Sequence, residues 1–147
     1  MTPRICMYLL AVLLCFGVTN ADAAKPESIT PEEMALLPRW CNDTISFPGH
    51  TADTRNFDAY LERYGPGWKS VHHYCWAMIH QMRMMRSYSD KPRREHFARR
   101  LIEDLDYVLN NSNPDFAFRQ QIYQRRAATL RITGRQDESL ATLRKWA

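Results

Sequence analysis

A chain of 147 residues amounts to one domain and leaves no room for a multi-domain enzyme. Apolar residues at 45% and charged residues at 24% are globular proportions that exclude disorder, and 5 glycines beside 8 prolines exclude collagen-like and Gly-rich chains. A formal charge of +4 is too modest to call for nucleic acid.

The chain opens on an address. Arg4 gives a short positive region, the uncharged run from Ile5 to Val18 follows, and Ala21-Asp22-Ala23 supplies the small residues of a cleavage site. Residues 1–23 therefore read as a secretory signal peptide cut between Ala23 and Ala24. The apolar run falls short of the roughly 20 residues that span a bilayer, so an uncleaved anchor is the weaker alternative and no stable membrane span is expected. Lipid attachment at Cys15 would need a small residue before it, and Leu14 stands there.

Export decides the cysteine arithmetic. Cys6 and Cys15 leave with the signal, and Cys41 and Cys75 remain. In an oxidising compartment two thiols most simply pair. Such a bridge would contribute roughly 3–4 kcal/mol by restricting the unfolded chain. Two buried free thiols, or a reactive or metal-bound cysteine, are the alternatives.

Helix punctuation then runs down the mature chain. Thr30-Pro31-Glu32-Glu33 is a capping box with proline where its missing N–H costs nothing. It opens a short helix through Leu37 that Pro38 should end. After Arg39-Trp40-Cys41 a polar loop leads to about Asp53, and a helix from Thr54 to Tyr64 places Phe57, Tyr60, Leu61 and Tyr64 at helical spacing. Gly65 is a stop and Pro66-Gly67 a turn. Trp68 to about Ser87 is predicted as the next helix, with Val71, Cys75, Met78, Met82 and Met85 sharing one face. Pro92 to Asn110 forms another, with the stripe Phe97, Leu101, Leu105 and Val108 inward and Arg99, Arg100, Glu103, Asp104 and Asp106 outward. Asn113-Pro114 caps and starts a helix carrying Phe116, Tyr123, Ala127 and Leu130, which Gly134 stops. A last helix from near Gln136 carries Leu140, Leu143 and Ala147. The mature chain has no alternating Val/Ile/Thr run. The expected fold is all-α, built of antiparallel helix hairpins with brief connections.

The C-terminal pair resembles a tetratricopeptide repeat. That family sets large, small and turn residues at fixed offsets, and Tyr123, Ala127, Leu130, Gly134, Ser139 and Leu143 fall on them. Ala127 and Ser139 let two helices approach, and the large residues fill between them. Trp146 departs from the pattern, where the family usually has a small residue. The preceding pair, 68–87 and 92–110, is a hairpin with Ala98 at a small position, joined by a connection longer than the family norm. The segment Gly65 to Trp76 also resembles one found in exported bacterial proteins of this divergent repeat type. The resemblance implies a short repeat array over 68–147, an N-terminal helical cover over 24–67 stapled by Cys41–Cys75, a structural role for that bridge, and a periplasmic location.

Chemistry-bearing residues are sparse. His72, His73 and His80 share a helix with Cys75, and His50 and His96 lie elsewhere. Imidazole with the thioethers of Met78, Met82, Met84 or Met85 would suit copper, so a periplasmic copper-binding protein using this His/Met helix is the alternative reading. Against it, Ala77 stands where a tight ligand pair with His73 would need its second member, and methionine is ordinary core filler. No G-x-S-x-G occurs, no acid–base pair can be chosen, and neither an enzyme nor a cofactor is expected. Arg93, Arg94, Arg99 and Arg100 cluster, and Arg119, Arg125, Arg126, Arg131 and Arg135 follow with no acidic residue among them. Export makes nucleic acid a scarce partner; an acidic protein segment or anionic envelope surface suits these arginines better, although a solvated face is their ordinary role. The expected function is an exported scaffold that binds another protein or peptide, with Trp68, His72, Tyr74, Trp76, Arg119 and Arg126 as contact residues, since aromatic and arginine side chains dominate such contacts.

Overall fold

A computed structural model describes residues 28–44 and 55–146. The expected signal peptide, His50, most of the polar loop around it and Ala147 lie outside the described residues. The described chain is all-α, with no strand among the described residues: α1 (Pro31–Ala35), α2 (Arg55–Tyr64), α3 (Val71–Arg86), α4 (Lys91–Asn110), α5 (Arg119–Ile132) and α6 (Gln136–Trp146). Short 3-10 turns at Arg39–Asp43 and Pro66–Ser70 follow α1 and α2. No described helix is long and apolar enough to cross a membrane.

The capping box at Thr30 forms in full. The Thr30 hydroxyl accepts from the Glu33 backbone N–H at 3.2 Å, and the Glu33 carboxylate accepts from the Thr30 N–H at 3.1 Å. The same carboxylate then takes a two-pronged guanidinium contact from Arg83 of α3, both bonds 2.8 Å long, which docks α1 on α3. Cys41 and Cys75 form the disulfide, their Cα atoms 5.8 Å apart, and join the same two regions a second time. Ile29, Met34, Leu37, Trp40 and Trp76 pack around the bridge and Ile79.

α3 and α4 form the central antiparallel hairpin. Leu101, Leu105 and Val108 of α4 are fully buried against Val71, Tyr74 and Ala77 of α3. Each such leucine contributes about 1.5–3 kcal/mol by leaving water. At the other end of the hairpin, Met84 packs on Phe97 and Ala98. An aromatic cluster closes the N-terminal side. Trp68 lies within 4.6 Å of Tyr60 and 5.8 Å of Trp40 between ring centroids, and Phe118 is 5.3 Å from Trp40.

Four features differ from expectation. α3 begins at Val71 rather than Trp68, because Pro66–Ser70 is a 3-10 turn that drives Trp68 into the core. The buried face of α3 is Val71, Tyr74, Cys75, Ala77, Ile79, His80 and Met84, while Met78 and Met82 are half-buried and Met85 is 55% exposed. Docking of α1 and α4 on two sides of α3 rotates the buried surface away from the simple methionine stripe. α5 starts at Arg119, not after Asn113-Pro114: residues 113–118 are turns that tuck Phe116 beside Gly67. Finally, Leu140 and Leu143 of α6 stay exposed, and Ser139 and Thr142 are the buried residues of that helix.

Candidate functional site

α5 and α6 pack antiparallel at their small residues. Ala127 and Ser139 are both buried, and the Ser139 hydroxyl donates to the Ala127 carbonyl at 2.8 Å. That hydrogen bond needs the two helix backbones close together, which larger side chains at either position would prevent. Leu130 is fully buried beside them, but Leu143 does not fill the interior as expected. Gly134 ends α5 with φ of 81°, a left-handed conformation that glycine adopts without steric cost.

One side of this α5–α6 hairpin packs on the C-terminal half of α4, leaving a cleft of about 380 Å³. Arg119, Tyr123 and Arg126 enter it from α5, Asp106 and Asn110 from α4, and Lys145 from α6. Helical spacing aligns the α5 residues on one face. Arg126 is held by a fork onto Asp106, with Nε 2.7 Å from Oδ1 and Nη2 3.3 Å from Oδ2, and also donates to the Thr142 hydroxyl. Arg119 donates to the Leu109 carbonyl at 2.8 Å and to the Ser112 carbonyl at 3.1 Å, so it satisfies orphan acceptors at the end of α4. A further bond at 3.1 Å reaches the Tyr123 hydroxyl. Both guanidinium groups are thus fixed by bonds across elements. Glu138 of α6 also lines the cleft, and hydrogen bonding by Arg135 holds its carboxyl below the ordinary glutamate value.

The six expected contact residues do not converge. Trp68 is 1% and Tyr74 2% exposed, so both belong to the core and neither can meet a partner. Their aromatic mass is what holds α2, α3 and the start of α5 together. Trp76 is half-buried, stacked on His80 at 5.8 Å and packed over the disulfide cluster. His72 is half-buried with Nδ1 3.2 Å from the Lys69 carbonyl. Burial, and then the neighbouring His73, push its pKa below the ordinary histidine value. Only Arg119 and Arg126 share one cavity.

A second polar arrangement lies in the α3–α4 hairpin. His73 Nδ1 is 2.7 Å from Asp104 Oδ1, and His80 Nε2 is 3.4 Å from Asp104 Oδ2. Asp104 was expected on the solvated side of its helix, yet it is buried. The sequence held a signal: position 104 lies between Leu101 and Val108 at helical spacing, on the edge of the apolar stripe. The Tyr107 ring lies tilted against His73 with centroids 3.8 Å apart, and Phe97 flanks His80 at 6.1 Å. A carboxylate orienting an imidazole is a general-base geometry, but neither residue lines the α4–α5–α6 cleft. Its direct effect is to tie α3 to α4.

The His/Met set expected for copper is dispersed. Met84 is buried with Phe97 and Ala98, Met78 and Met82 pack near the disulfide, and Met85 faces outward. Among the described residues no group of three His, Cys, Asp or Glu side chains is placed to hold a metal ion.

The fold and cleft define an all-α, disulfide-linked protein of helix hairpins. Comparison with protein-family models, curated proteins and solved structures finds no match to this chain.

Proposed function

We propose that this chain is an exported, tetratricopeptide-like helical scaffold of the bacterial envelope that binds another protein, taking an acidic segment into the α4–α5–α6 cleft. The observation that carries the reading is the cleft itself: Arg119 and Arg126 are pre-positioned by hydrogen bonds, with the half-buried Tyr123 between them and Lys145 opposite. Pre-positioned side chains lose little freedom on binding, which lets a modest contact area give useful affinity. The cleft is lined by Arg119, Arg126 and Lys145 against Asp106 and Glu138, and this net positive lining favours a negatively charged partner. The leader sequence and the Cys41–Cys75 pair support an oxidising destination.

A photo-crosslinking amino acid at position 123 or 145 of the full-length protein, expressed in a bacterial envelope, tests this reading. A discrete adduct from those positions, absent when the crosslinker replaces the outward-facing Tyr88, is the expected result. Equal labelling from position 88, or no adduct at all, overturns it. N-terminal sequencing of the exported protein should begin at Ala24; retention of Met1 removes the export argument.

A further inference from the structure

The opposite side of the α5–α6 hairpin carries a second, chemically different surface. A shallow groove of about 240 Å³ runs between the helices there, lined by Gln124, Ala127, Ala128, Arg131, Ser139 and Leu143, with Gln136 and Leu140 completing it. Its floor is made of small side chains. Its walls are leucines at 51% (Leu140) and 41% (Leu143) exposure, three residues apart and so on one face of α6. A helix hairpin buries one face on its neighbour and leaves the other available. Here α4 covers the first face, and the second is apolar.

We propose that this outer groove binds an amphipathic, acidic α-helix of a partner protein. The small floor admits a helix closely, and the paired leucines offer a ridge between which residues at i, i+3 and i+4 of an incoming helix can seat. The sign of the partner follows from charge. No acidic residue lines the groove, and its one charged lining residue is the exposed Arg131. Beside the groove, the exposed Asp137 and Arg144 of α6 offset each other and leave Arg131 as its net charge. A second copy seated symmetrically on the same groove would set Arg131 against its own copy, so an acidic helix from another protein is the better occupant.

The test uses a fluorescein-labelled synthetic helix of about 18 residues, long enough to hold helical structure. It carries leucine at i, i+3, i+4 and i+7 and glutamate on the remaining face, and a twin replaces each glutamate with lysine. Anisotropy titrations with the full mature protein should show the glutamate helix binding about tenfold or more tighter than its twin. Leu143→Glu should weaken the glutamate helix by a similar factor, and Arg131→Glu should abolish the preference between twins. Because both residues are exposed, thermal melts of the two variants should match the parent. Equal binding of the twins, no binding of either, or indifference to Leu143→Glu overturns the proposal. So does a concentration-dependent dimer in sedimentation that Leu143→Glu dissolves, which would make the occupant a second copy. The readout is separate from crosslinking at positions 123 and 145: adducts there with no helix binding here remove the outer groove and leave the cleft reading standing.

Discussion

His73 of α3 and Asp104 of α4, 31 positions apart in sequence, meet at 2.7 Å between Nδ1 and Oδ1. The other carboxylate oxygen, Oδ2, lies 3.4 Å from His80 Nε2 without forming a hydrogen bond. Removing the carboxylate breaks the His73 hydrogen bond that ties α3 to α4. Asp104→Ala should therefore cost about 1–3 kcal/mol, read as a lower urea midpoint with an unchanged slope. A neutral result would mean the contact is not formed in solution.

The N-terminal cover is tied to α3 both covalently, through Cys41–Cys75, and ionically, through Glu33 and Arg83. Cys41→Ser with Cys75→Ser should lower stability by roughly 3–4 kcal/mol, the loop-closure effect of the bridge. Mass spectrometry of the unreduced parent should find the two cysteines linked. Free thiols at both would contradict the fold of residues 28–44.

The ionic tie should show itself in acid. Hydrogen bonding by Arg83 is the chief cause that holds the Glu33 carboxyl below the ordinary glutamate value of 4.5, against an opposing effect of burial. A lowered folded-state value means that the stabilisation is fully present above about pH 4.5 and is lost as pH falls through the folded value. Urea midpoints of the parent should therefore decline below that point. Glu33→Ala should show less of this decline and, by leaving Arg83 without its carboxylate, should cost about 3 kcal/mol at neutral pH. An acid limb equally steep in the variant would place its origin elsewhere.

Gly67 sits where no side chain fits. A Cβ there would lie 2.8 Å from Phe116 Cδ2 and 2.9 Å from Ser112 Cβ. Gly67→Ala should destabilise by about 1–3 kcal/mol through overpacking. The companion change Phe116→Leu in the Gly67→Ala background should recover part of the loss, measured as a double-mutant cycle in thermal melts.

Local signals in the chain were strong wherever the deciding physics was local. The Thr30 box, the stop at Gly134 and the stripe Phe97–Leu101–Leu105–Val108 all read correctly, because each depends on residues within a turn or two. The small pair Ala127 and Ser139, which the tetratricopeptide resemblance implies as a close approach, does form that contact. Asn113-Pro114 misled for the opposite reason. It is a sound helix start by local rules, but burying Phe116 against Gly67 requires turns, and the helix waits until Arg119.

The site was less legible than the fold. Arg119 and Arg126 are expected contacts because arginine dominates binding surfaces, yet nothing in the sequence shows that Leu109, Ser112 and Asp106 would hold them. Trp68 and Tyr74 looked like contact residues and are core, because an aromatic side chain carries the same symbol in either place. By itself the sequence determined helix content, helix order, the stopping points and the two cysteines available to pair, all set by backbone preference and short-range periodicity. Tertiary packing alone decided which face of α3 turns inward, that Asp104 is buried between two histidines, and that α6 leaves its leucines outside. Those outcomes depend on which neighbour removes a surface from water, and that neighbour is distant in the chain.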